Sequence, residues 1–317
     1  MNATNNSRGS SNAWTAWIFA VGLWLGGVLS VPAEEKAEGA RVPEGVELLS
    51  AIQFGEGDGQ PLLLDLAQPK AGAGPYPALV FVHGGGWGAG DRSAYRGLMM
   101  EWAKFGLVCV TVEYRLTPKY HFPSQLEDVK CAVRWLRANA AKYHVDAKRV
   151  GAIGGSAGAH LVGMLGTTSG SGKWEGTGGN ADQSSAIQMM ICHGTPSDLL
   201  MAYEHTGQQQ PQEGSAARGM LTAFLGGMPD QVKAAYLDAS PVQHVSKTTP
   251  PTLLLHGVVD PLVLLEQAEV FAAALEKAGV PVELVRMEGA GHSDFGKEPE
   301  KVFARVGEFL KKYLLQQ

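Results

Sequence analysis

The sequence predicts an α/β protein: a mostly parallel central sheet with helices on both faces and small lid insertions. Three observations carry this expectation. Short apolar runs without polar alternation recur along the chain, as strands buried on both faces require. Helical segments separate them, as parallel neighbours need. The string Gly154-Gly155-Ser156-Ala157-Gly158 sits where one such run gives way to a helical segment.

The elements follow in order. Residues 46–54 and 61–66 read as two strands joined by the turn GEGDG, an antiparallel opening. Residues 78–82 (ALVFV) are a short apolar run between Pro77 and Gly84. A helical stretch over 95–105 stops at Gly106, and 107–114 is the next strand. Residues 124–141 form a strong helix, with Leu126, Val129, Val133 and Leu136 on one face; Ser124 is its expected N-cap, with Glu127 three residues on. Strands at 149–153, 187–192, 252–256 and 282–287 alternate with helices at 157–165, 264–278 and 299–315. Two stretches break the rhythm, 167–185 and 197–240, the second with helical pieces near 217–225 and 231–237. Ligands on such sheets bind beyond the carboxyl ends of the strands, where these insertions would supply a lid or pocket.

Residues 14–31 are an almost unbroken apolar run preceded by Arg8 and ended by Val31-Pro32-Ala33. A signal peptide over 1–33, cut after Ala33, is the expected reading; an uncleaved anchor is the alternative. Residues 34–45 then read as a linker and 46–317 as the catalytic domain, secreted or periplasmic. The net charge of -5, from 26 basic and 31 acidic residues, argues against nucleic acid as a partner. Membrane contact is expected only through the N-terminal run. Cys109, Cys131 and Cys192 are an odd number in apolar settings, which favours buried thiols over a fully paired framework. No CxxC or HExxH spacing occurs, so no metal is expected.

Ser156 is the candidate nucleophile. A serine forced into a tight strand-to-helix turn needs small neighbours, which Gly154 and Gly158 provide, and the helix start puts N–H donors beside it. His83-Gly84-Gly85-Gly86-Trp87 follows the run ALVFV, and its glycines let backbone N–H groups face a ligand. Gly85, Gly86 and Ala157 are the candidate oxyanion donors, with Gly84 or Trp87 as substitutes. A serine needs a base and a group that orients the base. His292, in Glu288-Gly289-Ala290-Gly291-His292, is the candidate base. Asp260, after the run TLLLH, is the candidate orienting acid, with Asp198 its rival. His83 and His256 are expected to be structural and His160 to pack, while His144, His205 and His244 show no partner. Glu127 and Asp128 are expected to cap or to pair with Arg115. Trp87 and Tyr120 are candidate substrate contacts, with Phe122 beside them, and Trp174 is expected to be exposed as a stacking platform or a loop anchor.

The strings HGGGW, GGSAG-AHL, HGVVDPL and EGAGH resemble the α/β-hydrolase superfamily, and more narrowly the esterases related to hormone-sensitive lipase and the bacterial feruloyl/acetyl-xylan esterases. The resemblance runs from about Val46 to the C-terminus. It implies a triad of Ser156, Asp260 and His292, no cofactor, and hydrolysis of a small-molecule ester or an acylated polysaccharide. Ala159 and the string Cys192-His193-Gly194-Thr195-Pro196 depart from the pattern and are expected near the acyl pocket. The alternatives are an amide hydrolase of the same fold, an arylformamidase or small peptidase, and a non-catalytic binding module.

Overall fold

The apolar runs form one eight-stranded sheet in the computed structural model, which describes residues 41–208 and 210–316. The expected leader and residues 34–40 of the expected linker lie outside the described residues. The strands are β1 (Val46–Gly57), β2 (Gln60–Pro69), β3 (Tyr76–Val82), β4 (Val108–Val112), β5 (Val145–Gly155), β6 (Met189–His193), β7 (Thr252–Gly257) and β8 (Val282–Met287). Their spatial order is β1-β2-β4-β3-β5-β6-β7-β8. β2 is antiparallel to β1 and β4, and all later pairs are parallel. This is the α/β-hydrolase fold. The expected turn GEGDG is shorter than its string: β1 runs through Gly57, and only Asp58 and Gly59 turn, at φ +51° and +71°. Asp-Gly is the pair that tolerates two positive φ values in a two-residue hairpin.

Helices cover both faces. They are α1 (Arg96–Ala103), α2 (Ser124–Ala138), α3 (Ala157–Thr167), α4 (Leu199–Glu204), α5 (Pro211–Leu225), α6 (Pro229–Asp238), α7 (Glu266–Lys277) and α8 (Pro299–Leu310). Side chains of a strand point alternately to opposite faces. Val80 and Val82 therefore share one core with Leu126, Val129 and Leu161 of α2 and α3. Leu79 and Phe81 meet Met99 and Trp102 of α1, and Phe303 and Val306 of α8 belong to the same core.

The start of α2 departs from expectation. Pro123 holds the N-cap position, and Ser124 is already helical. Glu127 is drawn away from a capping role by the Arg115 guanidinium, 3.2 Å off. Arg115 also pairs with Asp128 at 2.8 Å and donates its backbone N–H to that carboxylate. The insertion 197–240 is more helical than expected: α5 starts at Pro211, not near 217, and with α4 and α6 forms a cap over the strand ends. The α8 helix ends at Leu310, and the chain continues in the wider turns of Lys311–Leu315. All three cysteines are free and buried. Among the described residues, no helix is long and apolar enough to cross a membrane.

Candidate active site

The junction of β5 and α3 places Ser156 at φ 54° and ψ -123°, a backbone state that non-glycine residues rarely adopt. Close packing enforces it. A Cβ on Gly154 would lie 2.4 Å from the Gly158 carbonyl carbon, and one on Gly158 would lie 2.0 Å from the Val82 oxygen. The Ser156 N–H donates to the His193 carbonyl at 2.8 Å, which ties the turn to β6.

His292 and Asp260 meet this hydroxyl from loops at the same end of the sheet. Nε2 of His292 lies 2.9 Å from Ser156 Oγ, and Nδ1 lies 2.7 Å from Asp260 Oδ2. The other Asp260 oxygen accepts the N–H groups of Leu262 and Val263, both at 2.9 Å. Burial pushes the Asp260 carboxyl up, but the His292 hydrogen bond and charge, with the two backbone donors, outweigh it and hold the group below its ordinary value. Ionised, Asp260 accepts the hydrogen bond of His292 Nδ1–H, which keeps the proton on Nδ1 and leaves the Nε2 lone pair facing the serine. The rival Asp198 instead caps α4, accepting the Met201 N–H at 3.0 Å.

Gly85 and Gly86 line the same cavity as Ser156. Both have positive φ, +109° and +58°. A Cβ at Gly85 would meet the Ala89 oxygen at 2.3 Å, and one at Gly86 the Met220 sulfur at 2.4 Å. The Gly85 carbonyl accepts from Gly88 and Ala89, which folds the loop back on itself. Among the described residues, the N–H groups of Gly85, Gly86 and Ala157 donate to no protein acceptor. That of Ala157 is one of the orphan donors at the start of a helix.

Two cavities meet at Ser156. The larger, about 440 Å³, reaches from the serine, His292 and the glycine loop to a space between the sheet and helices α1 and α8. Its deep walls are Tyr95, Leu98, Trp102, Ile153, Phe303 and Val306. The smaller, about 40 Å³, lies under the cap and is lined by Trp87, Ala157, Pro196, Ala202, Leu221 and Val263. Met220 and Leu262 border both.

Other sequence candidates fall out as follows. Trp87 is buried, lines the small pocket, stacks on Phe224 at 4.3 Å and donates Nε1–H to His160 Nδ1 at 3.1 Å. His160 donates Nε2–H to the Ala239 carbonyl at 2.7 Å, and burial pulls it down to about 4. It packs, as expected. His83 staples its loop through the Gly84 carbonyl and stacks on Tyr114. His256 holds the Val263 carbonyl at 2.7 Å.

Tyr120 is a correction: it borders neither cavity, because the turn after Leu116 carries it to Lys119 and Arg115 instead. Phe122 also stands apart, between Phe224 and Trp174. Trp174 is half-buried rather than exposed, since Phe122 and His244 pack on it edge-on. His205 and His244 do have partners, Glu266 and the Asp238 carbonyl. Ala159 and Cys192 belong to the core, while His193 and Pro196 of the departing string line the large and the small cavity.

Sequence reasoning missed Tyr95 and Met220 as neighbours of the site. His193 lines the large cavity with Nε2 buried and unpartnered, and burial, then the nearby His292, pull it down to about 4. Among the described residues, no group of three or more His, Cys, Asp or Glu gathers as a metal site.

The BD-FAE family model matches residues 64–275. The chain is 30% identical over 240 residues to Esterase LipC of Mycobacterium tuberculosis, covering 74% of this chain and 58% of that protein. It thus spans a little over half the length of the curated relatives it matches. The propionate-bound esterase Est2 of the planctomycete Thermogutta terrifontis superposes with a TM-score of 0.67 at 28% identity, over 86% of this chain and 96% of that one. An acetyl ester-xyloside bifunctional hydrolase from Caldicellulosiruptor lactoaceticus gives 0.68 at 25% identity, over 86% of this chain and 98% of that one.

Proposed function

Because the chain belongs to the BD-FAE family, we propose that it is a serine-dependent carboxylic ester hydrolase acting on short-chain acyl or acetyl/feruloyl esters, with acylated plant polysaccharide within its range. One observation carries the reading: a single imidazole is hydrogen-bonded to Ser156 Oγ and to the ionised Asp260, beside three uncommitted backbone donors. The esterase names of LipC and Est2 support the reaction class, and the acetyl ester-xyloside hydrolase supports the acetyl and polysaccharide part.

In this mechanism Ser156 Oγ attacks the ester carbonyl carbon while its proton passes to His292 Nε2. The carbonyl π bond opens, and its electron pair rests on the oxygen, held by the N–H groups of Gly85, Gly86 and Ala157. Asp260 stabilises the imidazolium without taking its proton. As the carbonyl re-forms, the bond to the alcohol oxygen breaks, and His292 returns the proton to that oxygen. Water then attacks the acyl-enzyme with the same histidine as base, releasing the acid and restoring Ser156.

The test compares the wild type with Ser156→Ala on p-nitrophenyl acetate, butyrate and decanoate, methyl ferulate and acetylated xylan. The wild type is expected to cleave the short esters and the variant to lose at least about a thousandfold in kcat. Equal activity in the variant contradicts the mechanism. Cleavage of p-nitroacetanilide in preference to p-nitrophenyl acetate would move the assignment to amide hydrolysis.

A further inference from the structure

We infer that the two cavities at Ser156 divide the substrate, with the acyl chain in the small pocket under the cap and the leaving alcohol in the large chamber between the sheet and helices α1 and α8. This rests on the ester-hydrolase reading and narrows it: the preferred substrates are short acyl esters of apolar or aromatic alcohols, ahead of feruloyl esters and acylated polysaccharide.

Proton delivery decides which cavity holds which half. The oxygen of the departing alcohol must receive its proton from His292 Nε2, so the alcohol has to lie on the imidazole side of the serine. His292, Ser293 and Phe295 line the large chamber and not the small pocket. Of the three proposed donors, Ala157 lines only the small pocket, Gly85 only the chamber and Gly86 both, so the carbonyl oxygen would sit at the mouth that the two cavities share. With the oxygen held there and the alcohol on the histidine side, the acyl substituent is left to the small pocket.

Size then sets the acyl length. A water-sized group needs roughly 10–15 Å³ of such space. The 40 Å³ pocket therefore holds about three chain atoms beyond the carbonyl, which is butyryl at most. Trp87, stacked on Phe224 and bonded to His160, closes one side rigidly.

The walls of the chamber set the alcohol. At 440 Å³ it is more than ten times larger than the 40 Å³ pocket. Tyr95, Trp102, Phe295 and Phe303 supply aromatic surface, and among the described residues no Lys, Arg, Asp or Glu lines it. A sugar placed there would leave most of its hydroxyls without partners, at a cost that an apolar ring avoids.

The experiment is a two-way substrate matrix on the wild-type protein. At constant p-nitrophenol, kcat/KM is expected to stay within about tenfold from acetate to butyrate and to fall by at least about tenfold at hexanoate. At constant acetate, 2-(2-naphthyl)ethyl acetate is compared with ethyl acetate, because their alcohols depart with similar ease; the naphthyl ester is expected to win by at least about tenfold. Leu98→Trp, which fills the chamber, is expected to lower that ratio. If the variant does not fold, the wild-type matrix decides alone. Decanoate cleaved as well as acetate, with no gain from the naphthyl group, would overturn the assignment and place the acyl chain in the chamber. No hydrolysis of any acetate ester would instead sink the esterase reading beneath it.

Discussion

Replacing Asp260 by Asn should disable the site through a tautomer rather than through loss of shape. Asp260 makes three hydrogen bonds, all as acceptor: from His292 Nδ1 at 2.7 Å and from the N–H groups of Leu262 and Val263. In the Asn variant the amide oxygen keeps the two backbone donors, so its NH2 must face the imidazole. Two donors cannot share one hydrogen bond. The neutral ring responds by moving its proton to Nε2, and the lone pair that served Ser156 is lost. The same exchange in a serine protease lowers kcat about ten-thousand-fold. At about 1.4 kcal/mol per factor of ten, that is roughly 5 to 6 kcal/mol of barrier. The assay is steady-state hydrolysis of p-nitrophenyl acetate, with circular dichroism and thermal melting to show that the fold persists. KM should change by less than about tenfold, because Asp260 borders neither cavity. A kcat within tenfold of wild type, in a folded variant, would refute the reasoning.

Further outcomes are expected. Gly158→Ala puts a methyl 2.0 Å from the Val82 oxygen and 2.5 Å from the His83 oxygen, both backbone atoms. It should cost about 3 kcal/mol or more in urea unfolding; a loss under 1 kcal/mol would mean that α3 docks less tightly than described. Gly86→Ala forces a side chain at φ +58° into Met220 and should lower kcat about a hundredfold by displacing an oxyanion donor, with unchanged kcat as the contrary result. His160 is neutral when folded because burial pulls it down to about 4, against 6.5 in the unfolded chain. The unfolded chain thus binds the proton first, and this contribution to stability is present above pH 6.5 and lost as the pH falls towards 4. Between pH 7.5 and 4.5 the loss is roughly 2 to 3 kcal/mol, and His160→Gln should remove it; identical pH dependence in both proteins would contradict this.

The parts of the fold that the chain discloses are those set by local pattern. Runs such as ALVFV and TLLLH are short, apolar and bounded by turns, so they could only be buried strands. The Ser156 turn was legible because its steric demand falls on Gly154 and Gly158, which are neighbours in sequence. His292 and Asp260 were legible because each follows a strand and therefore lies at the same rim of a parallel sheet.

What stayed hidden depends on contacts between distant segments. Trp174 has polar neighbours in sequence and reads as exposed, yet Phe122 and His244 cover it from elsewhere. Tyr120 follows the glycine-rich loop closely in space only if the turn after Leu116 points inward, and it points towards Lys119 and Arg115 instead. The large chamber is bounded by α1, the sheet and α8, three elements far apart along the chain, and no local spacing announces the gap between them. The start of α5 did leave a signal that went unread, since proline is favoured in the first turn of a helix.

The central claim is that Ser156 is the atom donor to the acyl group, and trapping it covalently is the most direct measurement. The wild-type protein is incubated with diethyl p-nitrophenyl phosphate, and intact mass and peptide mapping locate the adduct. One diethylphosphoryl group on the peptide containing Ser156, loss of esterase activity in step with labelling, and no adduct in Ser156→Ala are the predicted results. Stoichiometric labelling at another residue, or esterase activity that survives full labelling of Ser156, would contradict the account.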